Sequence, residues 1–82
     1  MTPDELLQRY PRETLRWLRG RLGLSQLAFA LHLEANVTSV QDWERGRYGI
    51  SPTNRTRLVP LLVPHLATAE GRAWLAALGE EP

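Results

Sequence analysis

The sequence predicts an all-α fold, a compact bundle of four to five helices. Three observations predict it. Leu and Ala dominate the apolar 43% of the chain while β-branched residues are sparse, a balance that favours helices. Apolar residues recur at helical spacing, as Leu15, Leu18 and Leu22 do. Capping residues and prolines open segments of helical length, and glycines close them.

Taken in order, Thr2-Pro3-Asp4-Glu5 is a capping-box pattern: Thr at the N-cap, Pro at the first helical position, Glu two residues further. A short lead-in helix is expected there, ending before Pro11. The next helix is expected from Arg12 to Leu22, closed by Gly23. Ser25 caps a helix over Gln26–His32 whose apolar set (Leu27, Phe29, Ala30, Leu31, Leu33) is larger than a half-exposed helix needs. After the connection Leu33-Glu34-Ala35, Asn36 is the expected cap of a helix over Val37–Arg45, stopped by Gly46. On it Val40 and Trp43 share one face, whereas Val37, Thr38, Gln41 and Asp42 point elsewhere. Ser51-Pro52 opens a further helix with Leu58, Leu61 and Leu62 inward, and Pro60 predicts an end or bend near Val59. Thr68 is the expected cap of a last helix, Ala69–Leu78, with Gly79 as its stop.

The 82 residues are read as one domain, 1–82, with a core over about 12–62 and a C-terminal helix over about 68–79. A single core this small is marginal, so either compact helix packing or self-association is expected to help it. There is no Cys, and His32 and His65 stand too far apart to pair as ligands, so neither a metal site nor a cofactor is expected. No 18-residue apolar run and no basic-then-apolar leader appears, so no membrane association is expected and the chain is read as cytoplasmic. The net charge of +1 hides an asymmetry. Residues 1–57 carry nine Arg against six acids, residues 58–82 one Arg against three. A basic body with an acidic end suits a module that offers one face to phosphates. Every cation is Arg, the residue that grips carboxylates and phosphates bidentately.

Two short helices joined by three or four residues and followed by a third make a helix-turn-helix layout. The residues filling it narrow the reading. Leu22-Gly23-Leu24-Ser25-Gln26, Phe29-Ala30, Val40 and Trp43-Glu44-Arg45-Gly46 closely resemble the motif of the phage repressor/Cro-type (Xre-like) helix-turn-helix family. The match runs without a gap from Leu15 to Gly46 and more loosely to Leu62. It implies a lambda-repressor-like DNA-binding domain. Ala30 is small because two helices cross closely there. Arg19 and Glu44 match family positions that form an ion pair between the helices at 12–22 and 37–45. The turn departs from the family, which often places Gly where Glu34 stands; a non-Gly residue there costs roughly 1 kcal/mol or forces a different turn.

The resemblance implies sequence-specific binding of double-stranded DNA by a transcriptional regulator, a repressor in the expected case, acting as a homodimer near the nucleoid of a bacterial, archaeal or phage system. The helix at 37–45 would lie in the major groove. Gln41 would pair with adenine, Asp42 would accept from cytosine, and Val37 or Thr38 would touch a thymine methyl. Phosphates would be held at Ser25 and Gln26, where a helix N-terminus favours anions, and by Arg45, Arg47 and Tyr48. Trp74, Leu75 and Leu78 have two readings, closure of the core or a dimer surface. An enzyme is not expected: Ser25, His32 and Asp42 are the only candidates for a triad, and the motif uses them as cap and surface. Two alternatives remain: a regulatory protein-interaction module on the same fold, such as an antitoxin bound to a toxin or another regulator, and a helical module that has lost DNA binding, which Asp42 and the low net charge support.

Overall fold

A computed structural model describes residues 1–79. Its elements are α1 (Pro3–Arg9), α2 (Pro11–Leu22), α3 (Gln26–His32), α4 (Val37–Glu44), α5 (Pro52–Leu66) and α6 (Ala69–Gly79). The fold is all-helical, with no strand among the described residues, and the helices number six rather than four to five. The count reaches six with the short lead-in segment as a helix of its own, α1. A seven-residue helix cannot hold itself together in water, but Leu6 and Leu7 of α1 are fully buried, so packing supports it.

The capping box of α1 closes both ways, with Glu5 N donating to Thr2 Oγ1 and Thr2 N to Glu5 Oε1, each at 3.1 Å. The bond from the Thr2 backbone holds the Glu5 carboxyl below its ordinary pKa. Pro11 both ends α1 and starts α2, one residue before the expected Arg12. Helices α2, α3 and α4 close on left-handed residues, Gly23 (φ 67), Glu34 (φ 56) and Gly46 (φ 73). Each closure carries the paired bonds of a Schellman turn. Ala35 N donates to Ala30 O at 2.9 Å and Glu34 N to Leu31 O at 3.2 Å, and the turns at Gly23 and Gly46 repeat the pattern. Glu34 therefore keeps the geometry that Gly usually supplies.

Three local expectations need correction. Asn36 holds the extended N-cap conformation of α4, but its side chain makes no capping hydrogen bond. Arg45 is the cap of α4 and not its last residue. The helix from Pro52 continues through Pro60, and through Pro64, to Leu66. Both prolines are exposed while Leu58 and Leu62 are fully buried. The carbonyls deprived of an N–H partner thus belong to the solvent side, where water serves them, and core packing on the opposite side holds the helix together.

The core is one contiguous cluster of Leu7, Leu15, Leu18, Phe29, Ala30, Leu33, Val40, Trp43, Ile50, Leu58 and Leu62. It forms where α4 packs on α2 and α3, while α5 packs on α1, α2 and α6. Ala30 is 1% exposed, in keeping with a close crossing of α3 and α4. Leu61, expected inward, is half-buried at the edge of the cluster. Thr68 caps α6 through the Gly71 N–H at 3.0 Å. Gly71 itself is buried where α6 turns back on α5. A methyl group there would overlap the His65 carbonyl oxygen and sit 2.7 Å from Leu66 Cα.

Candidate nucleic-acid interface

Helix α4 is fixed by its inner face. Val40 is fully buried and Trp43 is 5% exposed. Glu44, 2% exposed, is tied to α2: Arg19 Nε donates to Oε2 at 2.8 Å and an Arg19 Nη to Oε1 at 2.9 Å. The other Arg19 Nη donates to the Leu24 carbonyl at 3.2 Å, so the same guanidinium also braces the link between α2 and α3. The bond to Glu44 raises the pKa of Arg19 above its ordinary value, against the partial burial that opposes it. A bidentate pair with one member almost out of water leaves α4 little freedom to rotate.

The four expected reading residues do not stand equally clear of the body. Thr38 is exposed. Gln41 and Asp42 are half-buried, and Asp42 has no ion-pair partner among the described residues. Val37 packs against the edge of the core, so only part of its side chain faces outward. A residue in the first turn of α4 is close enough to α3 to be drawn in.

The phosphate candidates divide as well. Arg45, Arg47 and Tyr48 are all exposed, with the Arg47 guanidinium 5.8 Å from the centre of the Tyr48 ring. The Ser25 hydroxyl accepts from Ala28 N at 3.1 Å and so acts as the α3 cap. The Gln26 amide turns inward and donates to Glu44 Oε1 at 3.4 Å. Its side chain is thus part of the Arg19–Glu44 tie, and only its backbone remains for a phosphate. The loop beyond α4 is held from the far side, because Arg55 donates to the Ile50 carbonyl at 2.7 Å and to Asp4 Oδ1 at 2.9 Å.

Two cations near this surface were not anticipated. Arg16 Nε lies 3.9 Å from Glu44 Oε1 with its side chain 60% exposed. Arg12, 52% exposed, reaches the neighbourhood of Gly46 while pairing with Glu13 at 3.3 Å. Their spacing, i and i+4 on the helix that carries Arg19, is the signal that would have found them.

The C-terminal side chains fall between their two readings. The Trp74 ring stacks on Trp17 with centroids 4.6 Å apart and planes 10° from parallel, so Trp74 is half-buried against α2. Leu75 and Leu78 line an apolar cavity of about 260 Å³ with Leu6 of α1 and Tyr10, the residue that caps its C-terminal end. No group of three or more metal-ligating side chains occurs among the described residues, and no described helix is long and apolar enough to cross a membrane. Comparisons with family models, curated proteins and solved structures found no match to the chain.

Proposed function

We propose that this chain binds double-stranded DNA in a sequence-specific manner, as a helix-turn-helix module that lays α4 in the major groove. The observation that carries the reading is the division of α4 into two faces. Val40, Trp43 and Glu44 are buried and pinned by Arg19, while Thr38, Gln41 and Asp42 keep polar groups on the other side. A reader of base edges needs both: side chains with donors and acceptors, and a backbone that does not move when they are pulled. Arg45 and Arg47, exposed just beyond α4, supply charge for the phosphates that flank the groove. A module that does no more than occupy its site blocks access to that site, so repression is the output this reading carries.

Thr38 and Gln41 are the principal readers in this proposal, with Asp42 accepting from a cytosine amino group. Val37 contributes at most an apolar edge, and the side chain of Gln26 is reassigned to the framework. The test is selection of binding sites from random duplexes with wild type and Gln41→Ala. Gln41→Ala should relax one base position at a cost of roughly 1–3 kcal/mol, with thermal stability hardly changed. An identical consensus from both proteins removes Gln41 from the reading set. Failure of wild type to enrich any sequence removes the proposal.

A further inference from the structure

Helix α2 carries three arginines on one side, Arg12, Arg16 and Arg19, spaced i, i+4 and i+7. The chain that leaves α4 runs back along this row. Glu44 meets Arg19 at 2.8 Å and has Arg16 at 3.9 Å, and two residues later a methyl group on Gly46 would sit 4.0 Å from an Arg12 Nη. Arg45 and Arg47, on either side of that glycine, are exposed. The three arginines of the row are not equivalent. Arg19 uses all three of its nitrogens inside the protein, on Glu44 and the Leu24 carbonyl. Glu44 is filled by Arg19 and the Gln26 amide, and Arg16 Nε stays beyond hydrogen-bond distance of it. Arg12 pairs with its chain neighbour Glu13 at 3.3 Å in an exposed contact, which is weak enough for a better anion to displace. Four arginines with donors to spare, Arg12 and Arg16 on α2 and Arg45 and Arg47 at the exit of α4, therefore stand side by side. The carboxylate among them, Glu44, is buried and already paired.

We propose that Arg12 and Arg16 form a second phosphate-binding site, which holds the sugar–phosphate backbone of a DNA duplex outside the groove entered by α4. The site rests on the DNA reading above and extends it to α2, a helix to which that reading gives no contact. The two side chains stand four residues apart, about 6 Å along the helix axis, so they present a line of charge and not a point. A guanidinium grips phosphate oxygens through parallel N–H donors, and two of them in line suit successive phosphates of one strand. Phosphates carry no sequence information, so the site adds affinity and orientation on every duplex and no base preference. A protein partner fits less well, because it needs apolar area to bury beside the charges. Thr14 and Leu15, which lie between the two arginines, are fully buried in this chain's own core.

The test is the affinity of the full chain for a long mixed-sequence duplex over a range of salt, together with selection of sites from random duplexes. Arg12→Gln and Arg16→Gln should each lower the slope of log K against log salt by about 0.9 and weaken binding about fivefold at low salt. The double variant should lower the slope by about 1.8, and all of them should select the wild-type consensus. Arg72→Gln removes the same charge from α6, which packs on α5, and should leave the slope alone. Glu13→Gln releases Arg12 and should tighten binding about twofold, a gain that damage to the fold does not produce. If a glutamine variant fails to fold, Glu13→Gln carries the test. Three outcomes overturn the proposal while wild type still binds DNA: slopes that neither glutamine change moves, an equal loss of slope in Arg72→Gln, or a changed consensus with an unchanged slope. Each of these leaves the reading by α4 standing. A wild-type chain that binds no duplex removes both.

Discussion

Glu44 shows how much a single side chain sets in this protein. Its carboxylate is 3% exposed and receives both prongs of Arg19, whose own side chain is 26% exposed. The two members are therefore unequal, and truncating them should be unequal too. Arg19→Ala leaves a carboxylate in a nearly dry site and is expected to cost about 3 kcal/mol, moderated by Arg16 moving in from 3.9 Å. Glu44→Ala leaves a guanidinium that reaches water, and about 2 kcal/mol is expected. Denaturant unfolding of both variants and the double mutant should return a coupling energy of about 1–3 kcal/mol. Coupling near zero would mean two independently solvated charges. The pair should be insensitive to alkali over the usual range. A raised Arg pKa contributes stability that is present below the unfolded value and lost only as pH climbs through the folded one, and both lie beyond ordinary buffers.

At the scale of elements, the turns and junctions carry the strain and the close contacts. Glu34 occupies a left-handed conformation at φ 56 with nothing but the Schellman bonds to hold it there. Glu34→Gly should relieve that cost and stabilise the chain by about 0.5–1 kcal/mol, less than the full strain because Gly also frees the unfolded chain. The measurement is urea unfolding at concentrations where the chain is monomeric, and a loss of stability would mean that the Glu34 side chain contributes more than its backbone costs. Gly71 is the opposite case, a position chosen for space and not for φ. Gly71→Ala forces α6 away from the end of α5, since His65 O and Leu66 are backbone and cannot step aside. It should cost at least about 2 kcal/mol and disturb the Trp17–Trp74 stack, which near-ultraviolet circular dichroism reads directly. An unchanged aromatic spectrum would show that α6 is not positioned through Gly71.

At the scale of the whole molecule, the net charge of +1 is a poor guide, because ion pairing neutralises cations and anions one for one and leaves the remaining charges unevenly placed. Glu44 is consumed by Arg19 and Asp4 by Arg55, while Arg45 and Arg47 have no ion-pair partner among the described residues. The surface around the end of α4 is thus more basic than the composition suggests. If it meets phosphates, affinity for duplex DNA should fall steeply with salt. Arg47→Ala should lower the slope of log K against log salt by about 0.9 and weaken specific and random duplexes alike. A changed base preference with an unchanged slope would make Arg47 a reader of bases. Arg12 and Arg16, both half free on α2, fit the same charged surface.

Much of this was legible in the linear chain. Thr2, Ser25, Ser51 and Thr68 each accept the backbone hydrogen bond that their positions foretold, and Gly23 and Gly46 close their helices, because caps and stops are decided by residues within one turn of each other. The Val40–Trp43 face and the Arg19–Glu44 tie were legible too, the first from periodicity and the second from resemblance alone. What remained illegible depended on neighbours distant in sequence. Pro60 is harmless only because its side of α5 faces water, which no local pattern states. Val37 and the Gln26 amide turn inward because α3, α4 and Glu44 converge on them. Leu27 and Leu31 belong to the same apolar run as Phe29 and Leu33 but end up outside, since α3 has a single partner surface and one face of it is spent on α4. Local hydrogen bonding determined where each helix begins and ends; only the packing of one helix on another decided which side chains remain for a ligand or a second chain to meet.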